Sequence, residues 1–233
     1  MKVMKLMLAA ALMLGASLEM NAQDKVEGTA GADFVNQYIW RGQNLGGVSI
    51  QPTLGLAWKG ISLGAWGSVG FESADAKEFD LTLGYSVGGF NVGVTDYWFS
   101  EGSYFKYKAH ATTHVFEGNI GYDFGFLNAQ VYTNFAGADG VNNDGKRAYS
   151  TYFELSAPFS LAGLDWSASL GAVPTATDFY GTNGFSIINV GVKATKEFSI
   201  GKALTIPVFA GITANPRSEK AYLMAGFSIV PNL

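Results

Sequence analysis

The sequence predicts an all-β protein, a 12-stranded antiparallel up-and-down transmembrane β-barrel, and three observations lead to this fold class. Apolar residues alternate with small or polar residues over successive stretches of about ten residues. Short turns that contain Gly alternate along the chain with longer polar loops. Only 15% of the 233 residues are charged, whereas 30 are Gly and 14% are aromatic. This composition is typical of strands that present one whole face to lipid.

The stretch from Val48 to Phe71 is the clearest hairpin of the predicted barrel. Its apolar residues change parity at Lys59-Gly60, as a two-residue turn requires if Trp58 and Ile61 are to lie on the same face. The apolar face therefore continues from one strand to the next. Trp58 and Phe71 are expected at the two membrane interfaces.

The apolar face also continues across the later short turns. It changes parity at the two-residue turns expected at 88–89, 125–126 and 162–163, and it keeps its parity across the three-residue turn expected at 201–203. A first strand from about Gly28 to Trp40 and a last strand from about Lys220 to Val230 complete the twelve. The long loops are expected together at the other end of the barrel, near 41–47, 72–77, 100–112, 137–147, 174–184 and 214–219. The even number of strands places both termini at the end with the short turns, the periplasmic end.

Three positions interrupt the pattern. Asp96 would face lipid if the register of its strand continued, so we expect a β-bulge near Thr95-Asp96 that turns Asp96 inward and Tyr97 outward. Pro52 and Pro207 cannot donate a ladder hydrogen bond. Each therefore requires a bulge or a lost pairing in its strand.

The N-terminus has the pattern of a secretory signal peptide. A basic start precedes an apolar run of 13 residues, Leu6 to Leu18, and Met20-Asn21-Ala22 offers a cleavage site. The run is shorter than the ~20 residues that a membrane-spanning helix needs. We therefore expect residues 1–22 to direct export and residues 23–233 to form one outer-membrane barrel domain.

Two segments carry a resemblance to a known family. The segment Phe34–Gly42, with the sequence FVNQYIWRG, and the run Glu78-Phe79-Asp80-Leu81 resemble outer-membrane porins of the TorF type. Proteins of that family carry an aromatic-Arg-Gly corner after the first strand. The resemblance implies a Gram-negative outer-membrane barrel with a transport function, and it implies no catalytic residues.

Little in the sequence indicates chemistry. The chain has no Cys, which excludes disulfides and thiol catalysis, and its net charge of −4 gives no basic footprint for nucleic acid. His110 and His114 lie four residues apart, but they precede a strand on which Glu117 has the opposite parity, so we expect no metal site. An outer-membrane phospholipase would need a Ser two residues from a His, and that pair is missing. We therefore expect no enzyme and no cofactor.

The inward faces of the predicted strands define a polar lumen in which acidic residues outnumber basic ones, and this favours a mild preference for cations. The residues expected to line the lumen are Gln51, Thr53, Trp66, Asp80, Glu117, Asp123, Gln130, Tyr132, Glu154 and Lys193. Among these we expect Trp66 to fill space. The segment 100–112 has two alternatives, a constriction loop folded inward or a surface loop folded outward, and we favour the second. Its candidate constriction residues are Tyr104, Lys106, Lys108 and His110.

Together these observations predict a porin-like channel of the outer membrane for passive diffusion of small polar solutes. Its expected partners are outer-membrane lipid, the barrel-assembly machinery and the solutes themselves. The alternative is a non-conducting barrel whose loops bind or adhere to surfaces. A soluble calycin-like barrel is a third option, but it would need polar residues where this chain places Leu54, Leu63 and Val190.

Overall fold

The structure is a computed structural model that describes residues 26–73, 75 and 77–232. The predicted signal peptide at 1–22 lies outside the described residues. Within the described residues no helix is long and apolar enough to cross a membrane. The elements are β1 (Glu27–Val35), β2 (Tyr38–Trp40), β3 (Gln43–Gly46), β4 (Ser49–Trp58), β5 (Ile61–Gly70), β6 (Lys77–Val87), β7 (Phe90–Trp98), β8 (Val115–Asp123), β9 (Asn128–Gly137), β10 (Thr151–Leu161), β11 (Leu164–Val173), β12 (Ala176–Thr177), the 3-10 helix η1 (Asp178–Tyr180), β13 (Thr182–Asn183), β14 (Ser186–Ile200), β15 (Leu204–Asn215) and β16 (Lys220–Pro231).

Twelve of these strands close into one barrel. The order around the barrel is β1, β4 to β11, β14, β15 and β16, and β16 pairs with β1 to close the ring. Every pairing is antiparallel. Barrel strands that are consecutive along the chain are therefore neighbours in the ring. This confirms the predicted 12-stranded up-and-down barrel.

The outer surface of the barrel is a band of exposed apolar side chains. Leu54 is 62% exposed and Leu63 is 52% exposed, although both lie inside long strands. The apolar faces of consecutive strands join at the short turns, as the pairing of Trp58 with Ile61 shows. An apolar surface of this extent is unfavourable in water, whereas the hydrocarbon of a bilayer accepts it.

The two ends of the barrel differ, and we call them the turn end and the loop end. Tight turns join the strands at the turn end, where a φ of 84° at Gly60 permits a two-residue reversal. Both ends of the barrel chain lie here, since Glu27 pairs with Ala57 and Pro231 pairs with Leu204. The longer connections all lie at the loop end, as predicted.

Each of the two prolines inside strands interrupts the pairing of its strand with one neighbouring strand. Between β4 and β5 the pairing stops after Ile50 and resumes at Thr53 in the same register, so the ladder is interrupted at Pro52. The pairing of β15 with β16 is interrupted in the same way at Pro207. Each proline therefore costs ladder hydrogen bonds without shifting the register of the barrel.

The bulge expected at Asp96 does not form, and that prediction was wrong. Asp96 pairs in an unbroken register with β6 on one side and β8 on the other. Its carboxylate therefore points to the outer face, and Tyr97 points inward. The outward carboxylate is tolerated because Tyr107 donates a hydrogen bond to it at 2.9 Å and His114 Nδ1 lies 2.6 Å from it.

The predicted first strand, Gly28–Trp40, is two elements. β1 ends at Val35, and β2 and β3 then form a separate hairpin in place of the predicted loop. Asn36 marks the break. Its side chain donates to the carbonyl oxygen of Leu223 at 3.0 Å and accepts from the backbone N–H of Ala225 at 2.7 Å. These bonds satisfy backbone groups of β16 at the point where β1 leaves it.

Candidate functional site

The β2–β3 hairpin turns into the lumen of the barrel. Its tip, Arg41-Gly42, has positive φ at both residues, 47° and 74°. A Cβ on Gly42 would lie 1.8 Å from the carbonyl oxygen of Ile188 on β14, so only Gly fits at this point. Asn215, at the end of β15, donates to the Gly42 carbonyl oxygen at 3.0 Å. These contacts fix the tip of the hairpin against β14 and β15.

From this tip the Arg41 guanidinium reaches Glu117 on β8, which lies nearly opposite β1 in the ring of strands. Nη1 donates to Oε2 at 2.5 Å and Nη2 to Oε1 at 2.9 Å, and the two side chains are 8% and 2% exposed. Tyr97 donates a further hydrogen bond to Glu117 at 2.8 Å. A buried pair of this kind leaves an uncompensated charge when one partner is removed, at a cost of about 3–5 kcal/mol.

Aromatic rings surround the guanidinium on its remaining sides. The guanidinium carbon lies 4.0 Å from the ring centroid of Tyr132, 4.5 Å from that of Trp40 and 4.8 Å from that of Tyr152. These are cation–π distances, each worth about 2 kcal/mol when desolvated. We call the resulting cluster the Arg41 constriction; it consists of Trp40, Arg41, Tyr97, Glu117, Tyr132, Tyr152 and Tyr180.

The helix η1 contributes Tyr180 to the constriction. Arg41 Nη1 donates to the Tyr180 hydroxyl at 2.7 Å, and the ring of Tyr180 stacks on Trp40 at a centroid distance of 6.1 Å. Burial raises the pKa of the Tyr180 hydroxyl, so this group stays protonated. Thr177 caps η1 by accepting from the backbone N–H of Phe179, and this fixes the direction in which Tyr180 points.

The base of the hairpin packs against a different part of the wall. Tyr38 donates to Glu78 on β6 at 2.9 Å, and its ring lies 5.5 Å from that of Trp66 on β5. The indole of Trp66 therefore lies against the base of the hairpin. The hairpin thus contacts strands on several sides of the lumen, among them β5, β6, β8, β14 and β15.

All ten residues expected to line the lumen point inward. The pairings show this strand by strand, since Thr53 lies beside Trp66 and Trp66 lies beside Asp80. Gln130 pairs likewise with Glu154. The strand register extends the inward face to the remaining members of the set, which are Gln51, Glu117, Asp123, Tyr132 and Lys193.

These ten residues do different things. Glu117 and Tyr132 belong to the Arg41 constriction, and Glu154 accepts a hydrogen bond from Tyr152 at 2.7 Å. Asp123 lies at the turn end, where it accepts from the backbone N–H of Gly125 at 2.6 Å. Only part of the predicted lining therefore narrows the lumen.

The lumen is not filled to the same degree throughout. Tyr152 and Asn134, in and beside the constriction, have no exposed surface. In contrast, Asp33, Thr53 and Lys193 point inward and keep part of their surface accessible to solvent. Solvent-accessible space therefore exists along β1, β4 and β14, away from the constriction.

The segment 100–112 lies against the outer surface of the barrel and not in the lumen. The ring of Tyr104 contacts Phe79 at 5.6 Å and Trp98 at 5.4 Å, and both of these side chains point outward. The other candidate constriction residues, Lys106, Lys108 and His110, are exposed. The segment thus takes the outward course that the sequence analysis favoured.

His114 joins this segment to the outer face of the barrel. Its ring is fully buried, with Nδ1 2.6 Å from a carboxylate oxygen of Asp96 and Nε2 2.7 Å from the carbonyl oxygen of Tyr104. Glu117 points to the opposite face of β8 and cannot share a metal with His114.

Sequence reasoning missed the residues that form the centre of the constriction. Trp40 falls at the end of a predicted strand, Arg41 falls in the predicted loop that follows, and Tyr180 falls in another predicted loop. The sequence does contain one signal, because the Trp40-Arg41-Gly42 corner carries the family resemblance. That signal marks the position without indicating that it turns into the lumen.

A comparison with one solved structure supports the fold. No family model matches the sequence, and the sequence of no curated protein matches it either. Among solved structures, the NanC porin is similar with a TM-score of 0.50 at 8% identity, over 89% of this chain and 100% of that chain. OmpF of Salmonella typhi, in a complex with daunomycin, gives a TM-score of 0.37 at 11% identity, over 91% of this chain and 98% of that one. The likeness to the NanC porin supports a porin-like barrel fold for this chain.

Proposed function

We propose that the protein is a porin-like channel of the outer membrane, through which small polar solutes diffuse passively past the Arg41 constriction. The observation that carries this proposal is a closed barrel whose outer face is apolar and whose inner face is polar and partly accessible to solvent. The wall supplies size exclusion and charge, not chemistry. Residues 1–22 would direct export, and the barrel-assembly machinery would insert the barrel into outer-membrane lipid.

The resemblance to TorF-type porins gains a physical meaning in this proposal. The aromatic-Arg-Gly corner on which it rests is the tip of the hairpin that enters the lumen. Gly42 is required there by its close approach to Ile188, and Arg41 by its bidentate pair with Glu117. A short sequence with such specific spatial demands is what a shared constriction would require.

We further propose a mild preference for cations. Arg41 neutralises Glu117, which leaves Asp80, Asp123 and Glu154 against one basic residue, Lys193, among the ten lining residues. A gradient of KCl across a planar bilayer that contains the protein should give a reversal potential of the sign for cation selectivity. A reversal potential of the opposite sign would contradict the charge argument.

The density of the constriction favours a second candidate, a non-conducting barrel whose loops bind surfaces. Liposome swelling separates the two. Proteoliposomes placed in isotonic solutions of arabinose, glucose and raffinose should swell at rates that decrease with the size of the sugar. Liposomes without protein give the background rate. A wild-type rate equal to that background for all three sugars would reject the channel and favour the sealed barrel.

A further inference from the structure

A polar cavity opens at the loop end of the barrel, directly beside the tip of the hairpin. Its volume is about 420 Å³. Three elements form its walls: the hairpin tip, the helix η1 with its C-cap, and the connection between β15 and β16. The residues that matter to its chemistry are Asn44, Asp178, Tyr180, Arg217, Lys220 and Tyr222.

The cavity carries more positive than negative charge. Arg217 and Lys220 are both solvent-exposed, and neither makes an ion pair with a described residue. Asp178 is the acidic residue among the lining, and one of its carboxylate oxygens already accepts from the backbone N–H of Val141 at 2.7 Å. Two cations against one partly engaged carboxylate favour an anionic occupant.

The remaining lining groups suit an occupant with hydroxyl groups. Gln43 offers an amide that donates and accepts hydrogen bonds, and Tyr222 offers a ring with a hydroxyl. The Oδ1 of Asn44 already accepts from the backbone N–H of Gly46 at 3.1 Å, so Asn44 offers the N–H groups of its amide as donors. Lys220 and Tyr222 alternate along β16 with the outward residues Ala221 and Leu223, and Lys220 pairs with Asn215 on the inward face. The basic and aromatic groups of β16 therefore point toward the mouth of the lumen.

The walls of the cavity are held together by hydrogen bonds of their own. Asn215 donates to the Gly42 carbonyl oxygen at 3.0 Å and accepts from the backbone N–H of Ser218 at 3.1 Å. The backbone N–H of Gly181 donates to the carbonyl oxygen of Asp178 at 3.1 Å. Preformed walls reduce the entropy that binding must overcome.

We propose that this cavity is a binding site for small hydroxylated carboxylates at the loop-side mouth of the barrel. The carboxylate interacts with Arg217 and Lys220, and the hydroxyl groups interact with Asn44 and Tyr222. The proposal rests on the proposed channel function for its purpose, since a solute held here lies beside the constriction. The positive charge of the cavity is local to the loop-end mouth, whereas the acidic excess behind the mild cation preference lies among the ten residues that line the lumen. Tyr180 belongs to both the cavity and the constriction, where it accepts a hydrogen bond from Arg41.

The test uses the full chain purified in detergent and a pair of probes of equal carbon number, gluconate and uncharged sorbitol. Equilibrium dialysis of radiolabelled gluconate should show saturable binding with a Kd of about 1 mM, and sorbitol should bind at least about tenfold more weakly. The double variant R217Q/K220Q should weaken gluconate binding by about tenfold. The matched double variant K196Q/K202Q, at the turn end of the barrel, should leave it unchanged.

A third variant is expected to strengthen gluconate binding instead of weakening it. Asp178→Asn keeps an oxygen that accepts from Val141 and removes the negative charge, so it should tighten gluconate binding by about threefold. No binding of gluconate to the wild type would overturn the site, as would equal binding to R217Q/K220Q. A difference in gel migration between heated and unheated samples verifies that each variant is folded.

The binding assay and the swelling assay fail independently. A protein that passes neutral sugars into liposomes but does not bind gluconate is a channel without this site. A protein that binds gluconate but gives no swelling has the site and is not a channel. The two outcomes thus distinguish a failure of the inference from a failure of the proposed function.

Discussion

Two connections at the loop end take opposite courses, and the reason lies in one strand. The β2–β3 hairpin turns into the lumen, and the segment 100–112 folds onto the outer surface. Both contain aromatic and basic residues, so their compositions do not distinguish them. The difference between them lies in β8 and in His114, the residue before it. Glu117 points inward and pairs with Arg41, whereas His114 lies on the outer side and contacts the segment 100–112 through Tyr104.

The barrel face on which Glu117 or His114 lies, which we call the anchor residue of each loop, decides where that loop packs. Side chains alternate along a strand, so residues three apart lie on opposite faces. A polar side chain on either face needs a partner, because the surroundings of both Glu117 and His114 exclude much of the water. Each anchor is satisfied by the loop that folds to its own side.

The largest effect is expected at the Arg41–Glu117 pair. Arg41→Ala should lower the free energy of unfolding by about 3–5 kcal/mol, because it leaves the Glu117 carboxylate buried without its partner. The double variant R41A/E117Q should recover much of that loss. Unfolding in guanidinium chloride, followed by Trp fluorescence, measures all three proteins. Equal losses in the single and double variants would show that the pair is not coupled.

Gly42 should have the next largest effect, and the chain offers a matched control. Gly42 and Gly145 have similar φ values of 74° and 71°, but a Cβ on Gly42 would meet Ile188, whereas a Cβ on Gly145 would meet nothing within 4 Å. Gly42→Ala should therefore cost about 2 kcal/mol more than Gly145→Ala. Similar unfolding free energies for the two variants would place the hairpin tip away from β14.

The outer segment provides the third prediction. His114→Ala removes the contacts to Asp96 and Tyr104 and should release residues 100–112. Tryptic cleavage after Lys106 and Lys108 should become about tenfold faster, because local opening costs less free energy. Arg41→Ala serves as the control and should leave cleavage at these sites unchanged. Equal acceleration in both variants would show that the two regions unfold together.

The smallest effect is expected at Asp75, at the edge of the hairpin. The backbone N–H groups of Gly47 and Glu72 donate to its carboxylate and lower its pKa. A lowered pKa in the folded state means that the stabilisation is present above the ordinary pKa of Asp and is lost as the pH falls. Asp75→Asn should lower the thermal midpoint by about 1 °C at pH 7 and by less at pH 3. A larger difference at pH 3 would contradict this sign.

The sequence predicts the barrel well because the barrel follows from local patterns. Alternation with a period of two and the change of parity at turns such as Lys59-Gly60 depend only on neighbouring residues. The same alternation correctly assigns inward residues such as Thr53 and Glu154 without knowledge of any contact between distant strands. The closed ring then follows from pairing each strand with the next.

The constriction could not be predicted in this way, because its contacts join residues far apart in the chain. Arg41 pairs with Glu117 and bonds to Tyr180, and no local pattern relates these positions. The error at Asp96 has the same origin. An outward Asp96 was expected to contact lipid, whereas the segment 100–112 covers its carboxylate and Tyr107 donates a hydrogen bond to it.

Single-channel conductance in planar bilayers tests most directly whether the inner hairpin, and not the outer segment, narrows the lumen. The variant R41A/E117Q should raise the conductance at least about twofold over that of the wild type, because it removes the guanidinium from the constriction. The variant Y104A/H114A, which alters only the outer segment, should conduct like the wild type. A rise in conductance with Y104A/H114A and none with R41A/E117Q would contradict the account.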